Sequence, residues 1–86
     1  MSRKKILIVE DEVVARTSLK TFLEKKSYNV VEAGSLAEAL QNNLQDFALI
    51  ITDLRLPGSA GTDIISHVIN VPVLVMTSHA SVRSAV

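Results

Sequence analysis

"LIITDLRLPGSAG", residues 49–61, decides the fold. Leu49 to Thr52 are mostly apolar and read as a strand that wants burial on both faces. A carboxylate, Asp53, comes directly after them, and Pro57, Gly58 and Gly61 then punctuate a loop. Desolvation penalises a charged carboxylate, so an acid at the mouth of an apolar strand needs a compensating reason. Reading outward from this stretch supplies one.

Upstream, "KILIV" (5–9) is a second short, continuous apolar run and reads as a buried strand. From 12 to 26 the period becomes helical. Ala15, Leu19, Phe22 and Leu23 share one face, while Arg16, Lys20 and Glu24 fall on the others. Asp11 stands where it can cap this helix, and "KKS" (25–27) closes it with positive charge at the negative end of the dipole. "YNVVEA" (28–33) is a more polar strand, suited to a sheet edge. Gly34 breaks the chain, and Ser35 with Glu38 forms a capping box ahead of Leu36, Ala37, Leu40 and Leu44, which predicts a second helix. The strand of the opening stretch runs over 47–52. Downstream, Ile64, Ile65, Val68 and Ile69 stripe a short third helix. "VPVLVMT" (71–77) is a fourth strand with Pro72 at its entry, and "ASVRSAV" (80–86) begins a fourth helix. Strands and helices alternate, and the strand runs are continuous. That combination predicts an α/β protein, a doubly wound parallel sheet covered on both faces.

Composition narrows the function classes. A chain of 86 residues suits one domain spanning 1–86, and at 48% hydrophobic with 3% aromatic residues its core is aliphatic. Nine basic residues balance nine acidic ones, so no global charge favours nucleic acid or an anionic membrane. The absence of cysteine removes disulfides, thiolate metal sites and thiol catalysis. The basic start is followed by an apolar run, 6–9, too short for a signal peptide, and no stretch reaches membrane-spanning length. A soluble, cytoplasmic protein is expected.

In doubly wound sheets, ligands bind outside the carboxyl ends of the strands. Glu10, Asp11 and Glu12 follow the first strand, Asp53 the third, and Thr77 and Ser78 end the fourth. If the first and third strands are neighbours, Glu10, Asp11 and Asp53 converge. Two unit charges about 5 Å apart at an effective dielectric near 20 repel by roughly 3 kcal/mol, so protons or a cation must be taken up. Hard oxygen donors without imidazole or thiolate favour Mg2+. An aspartate beside such an ion suits phosphoryl transfer and can itself be the nucleophile, with the Thr77 hydroxyl offered to a phosphoryl oxygen. Each feature alone has a plainer reading. The acidic triplet can compensate a helix dipole, Asp53 can serve the turn, and Thr77 can cap a helix. Their joint placement at three strand ends favours the site. His67 and His79 lack metal-ligand spacing. "GSAG" is followed by no Lys-Ser/Thr, and Arg55 stands where a haloacid-dehalogenase-type phosphatase has its second Asp.

With "ILIVEDE", "LIITDLRLPGSAG" and "VPVLVMTSHAS" in this order, the whole chain resembles the receiver domain of two-component response regulators. The resemblance implies a flavodoxin-like receiver fold with strand order 2-1-3-4 and a phosphoacceptor switch rather than an enzyme, of a class often tied to transcription regulation. It implies Asp53 as phosphoacceptor, Asp11 holding Mg2+ directly, Glu10 holding it through water, and the Arg55 backbone carbonyl as a further ligand. Thr77 is then the switch hydroxyl. The implied donor is a sensor histidine kinase or a phosphotransfer protein. The chain differs from the family pattern in two ways. It stops inside the fourth helix, so the family's fifth strand and fifth helix, with their Lys and aromatic residue, are missing and the domain is expected to be incomplete at its C-terminal end. The segment from Gly61 to Pro72 is also about one helical turn short. The fourth strand is then an apolar edge, through which self-association is expected. The alternative is a truncated or degenerate receiver acting only as an interaction or dimerisation module.

Overall fold

The structure, a computed structural model, describes residues 4–56 and 58–76. Strand β1 (Lys5–Val9) leads into helix α1 (Val13–Lys25), then β2 (Asn29–Ala33), the short helix α2 (Leu36–Ala39) and β3 (Leu49–Asp53). A two-residue pair, β4 (Arg55–Leu56) and β5 (Ser59–Ala60), precedes β6 (Val73–Met76), which is the fourth strand expected from the sequence. The main sheet is parallel in the order β2-β1-β3-β6, so β1 and β3 are neighbours as expected.

Alternation along β1 divides the core into two layers. Ile6 and Ile8 join Ile51 beneath Leu19 and Leu23 of α1, while Leu7, Val9 and Ile50 face Ala39, Phe47 and Ile64. These strand residues are almost wholly excluded from solvent. The two outer strands are less covered. β2 is half-buried, as its polar sequence predicts, and β6 leaves Leu74 53% exposed although it pairs with the buried Ile51. On the α1 side an open groove of about 430 Å³ runs between Phe22 and Leu19 on α1 and Met76 on β6.

Several local expectations are corrected. Asp11 does not cap α1: the N-cap is Glu12, and no side chain caps it. The Glu12 N–H instead donates to Glu10 Oε2 at 3.0 Å, so Glu10 serves the helix start from the end of β1. At the other end, Ser27 adopts φ 72°, its N–H donates to Glu24 O and that of Tyr28 to Leu23 O. This closure usually takes glycine. Ser35 accepts from the Glu38 N–H as the capping box predicts, but Glu38 Oε1 accepts from Gly34 N–H at 2.5 Å, one residue earlier than in the standard box. The second helix stops at Ala39. Asn42 bonds the carbonyls of Glu38 and Ala39, and Leu44 begins a separate 3₁₀ turn, Leu44–Asp46, capped by Asn43. The third helix is also 3₁₀, Gly61–His67. With three residues per turn, Gly61 and Ile64 share the buried face and Ile65 turns outward, as does Ile69 beyond the end of the segment. The loop after Asp53 holds the antiparallel β4–β5 pair, with Gly58 at φ 75° between its strands. Thr77, Ser78, His79 and the fourth helix lie outside the described residues.

Candidate functional site

The parallel register brings the carboxyl ends of β1 and β3 side by side, Val9 beside Thr52. The next residues, Glu10 and Asp53, therefore meet at the top of the sheet. One carboxylate oxygen from each of Glu10, Asp11 and Asp53 lies within 4.8 Å of the other two. Glu10 is 2% exposed and Asp53 4%, while Asp11 faces solvent. This is the convergence expected from the sequence. Arg55, the fourth residue expected at the site, directs its backbone N–H toward Asp53 Oδ1 at 3.5 Å.

Both buried acids stand on fixed backbone. Glu10 N–H donates to Ala33 O at 2.9 Å, which ties the end of β1 to the end of β2. Leu54 N–H donates to Met76 O at 2.8 Å and its carbonyl accepts from Gly61 N–H at 2.7 Å, so the chain after Asp53 is held from two sides. The Thr52 hydroxyl donates to Asp53 O at 3.1 Å. Gly61 packs its Cα directly on the Asp53 peptide. A Cβ there would overlap the Asp53 carbonyl oxygen and stand 2.7 Å from its carbon and 2.9 Å from Thr52 Oγ1. Gly61 is thus more than loop punctuation: it lets the 3₁₀ segment lie against the strand that carries Asp53. Spacing alone does not distinguish this close approach from an ordinary loop glycine.

Burial and like charge act together on Glu10. Burial raises the Glu10 carboxyl above the ordinary glutamate range. The Glu12 N–H opposes the shift, and the neighbouring Asp53 and Asp11 reinforce it. The donor set is three hard carboxylates with no imidazole or thiolate in the cluster, and it fits a small, hard dication such as Mg2+.

Arg16 is the residue whose place the sequence does not reveal. Helical periodicity puts it off the apolar face, as though solvated. In the structure its side chain is 19% exposed, Nη1 donates to Glu10 O at 2.9 Å and Nε to Glu32 Oε1 at 3.1 Å. The guanidinium passes beneath Gly34, where a Cβ would stand 3.2 Å from Nη1.

Known proteins share this fold. A family model, "Response regulator receiver domain", matches residues 6–86. The aerobic respiration control protein ArcA of Escherichia coli is 45% identical over 62 residues, which cover 71% of this chain and 26% of ArcA. The non-phosphorylated HemR receiver domain from Leptospira biflexa superposes with a TM-score of 0.81 at 29% identity, covering 96% of this chain and 74% of that one. The response regulator protein TrrA from Thermotoga maritima, solved in complex with Mg2+-BeF, gives a TM-score of 0.79 at 29% identity, covering 94% of this chain and 75% of that one. The chain spans about a quarter of the length of ArcA.

Proposed function

The chain belongs to the response regulator receiver domain family, and from that premise we propose that it accepts a phosphoryl group on Asp53 from a sensor histidine kinase or a phosphotransfer protein. The observation that carries this is the meeting of Glu10, Asp11 and Asp53 within 4.8 Å at two adjacent strand ends. The structure of TrrA with Mg2+-BeF supports the same chemistry in a protein of the same fold.

Asp53 is the nucleophile. One carboxylate oxygen bonds to phosphorus as the P–N bond of the phosphohistidine breaks, and the departing imidazole keeps the electron pair and takes a proton. Asp53 then carries an acyl phosphate, and water regenerates it by releasing inorganic phosphate. When bound, Mg2+ would supply charge neutralisation for the phosphoryl oxygens. Asp11, Glu10 and the Arg55 backbone carbonyl would hold it, while the Leu54–Gly61 and Thr52–Asp53 bonds fix the backbone that carries the nucleophile. Thr77, one residue beyond the register partner of Asp53, contributes the switch hydroxyl. The protein is a switch that assists its own phosphorylation and dephosphorylation, working in the cytoplasm and regulating transcription through a partner or an attached output domain.

The test is direct. Incubated with Mg2+ and a small phosphodonor such as acetyl phosphate, the chain gains one phosphoryl group by mass spectrometry. Asp53→Asn gains none, and chelation by EDTA abolishes the adduct. An unmodified wild type with no Mg2+ binding overturns the proposal.

A further inference from the structure

Three features stand outside the phosphoacceptor itself: the apolar groove beside α1, the outward Ile65 of the 3₁₀ segment with Ile69 just beyond it, and the Arg16 network. Neither the groove nor the isoleucine pair is accompanied by anything that identifies an occupant. The Arg16 network does point to a role.

We infer that Arg16 is a positioning residue for the metal pocket, fixing the Glu10–Asp11 peptide so that the two carboxylates are presented to the ion together; this rests on the proposed Mg2+ site. Glu10 and Asp11 are consecutive, so one peptide plane sets the direction of both side chains. That plane is held at its carbonyl by Arg16 Nη1 at 2.9 Å, and the peptide before it is held at the Glu10 N–H by Ala33 O at 2.9 Å, so the backbone is fixed on both sides of the Glu10 Cα. The guanidinium is held in turn. Its Nε donates to Glu32 Oε1 at 3.1 Å, and Lys20 Nζ lies 3.6 Å from Glu32 Oε2 and 3.9 Å from Glu24 Oε2. Gly34 leaves room above it.

A planar fork suits this place, since it donates to a carbonyl on one side and a carboxylate on the other from one rigid group. A lysine has the charge but presents a single point donor. Two physical effects therefore oppose each other at this residue. As a cation near three acids, Arg16 weakens attraction for Mg2+; as a brace, it preorganises two ligands. The brace acts through a fixed backbone bond, whereas the charge is already engaged by Glu32, so positioning dominates.

Arg16→Lys and Arg16→Met separate the possibilities. The readout is a Mg2+ titration of the full chain followed by the amide shifts of Glu10, Asp11 and Asp53, with circular dichroism to confirm folding at the same temperature. Positioning predicts at least fivefold weaker Mg2+ binding in both variants, and Glu32→Gln, which loosens the brace from its far end, weakens binding to a smaller degree. A role through charge alone predicts tighter binding in Arg16→Met and no change in Arg16→Lys. A role in stability alone predicts unchanged affinity in every folded variant. Either of these overturns the inference while leaving the metal site standing. A wild type that shows no Mg2+ saturation overturns the metal site and this inference with it.

Discussion

Gly61→Ala is expected to slow the proposed phosphoryl acceptance at Asp53 about a hundredfold and to destabilise the chain, although residue 61 bears no functional group. The added methyl cannot coexist with the Asp53 carbonyl, and its other near neighbours are the Asp53 carbonyl carbon at 2.7 Å and Thr52 Oγ1 at 2.9 Å. Two of these three atoms belong to strand backbone and the third to a buried threonine, so no flexible side chain can yield. Either the 3₁₀ segment lifts off, breaking the Gly61–Leu54 bond, or β3 bends at Asp53 and carries the nucleophile away from Glu10. Overpacking of this kind costs about 1–3 kcal/mol, a large share of the roughly 4–13 kcal/mol of a domain this size. Misplacing a reacting group by about 1 Å costs on the order of a hundredfold in rate. Chemical denaturation and phosphoryl incorporation, measured on the same preparation, check both parts. An alanine variant that accepts phosphoryl groups at the wild-type rate refutes this account of the glycine.

Glu10→Gln is expected to move stability and metal affinity in opposite directions. Without Mg2+, the buried Glu10 carboxylate faces Asp53 and Asp11, so neutralising it stabilises the fold. The sign with pH follows from the raised Glu10 carboxyl. The folded chain binds this proton more tightly than the unfolded chain does. The stabilisation is fully present below the ordinary glutamate value of 4.5 and is lost as pH rises through the higher folded value. Glutamine has no such proton. The melting temperatures of variant and wild type therefore diverge as pH rises toward neutrality, with the variant higher. Excess Mg2+ reverses the order, because the wild type gains the binding free energy of the ion while the variant binds about 10–100-fold more weakly, as is typical when a group orienting a metal site is lost. Parallel melting curves across this pH range, with and without Mg2+, decide the matter. A constant gap contradicts the assigned shift.

How much of this was legible in the sequence depended on the length scale of each cause. The parallel sheet, and β1 beside β3 within it, were readable because "KILIV" and "FALIIT" are continuous apolar runs that a sheet covered on both faces buries, while the full strand order came from the family resemblance. The acidic pocket followed from that adjacency, since Glu10 and Asp53 each come directly after such a run. The helices were less legible. Ile64, Ile65, Val68 and Ile69 fit an α-helical stripe, yet the segment winds as 3₁₀ over Gly61–His67, with Gly61 against the Asp53 peptide at its start. α2 is cut short because Asn42 and Asn43 satisfy backbone groups at its end and at the start of the next turn, a competition that hydrophobic period does not report. Arg16 was hidden for a different reason. Its partner is a backbone carbonyl, and every residue has one, so nothing in the residue types marks it.

The place of β1 in the sheet has a consequence for how the chain comes to be folded. β1 pairs with β2 on one side and with β3 on the other, and β3 ends only at Asp53. As the chain emerges from a ribosome, the β1–β2 unit with α1 can form early, but Ile6 to Val9 then present an apolar edge until β3 arrives. Non-local parallel pairing is slow, and transiently open edges of this kind are where nascent chains are captured by chaperones or by each other. Mg2+ cannot shorten that interval, because Glu10 and Asp53 meet only when β3 has docked. At the proposed site the ion would bind only after that step, so the onset of Mg2+ binding during refolding would serve as a clock for the closing of the sheet.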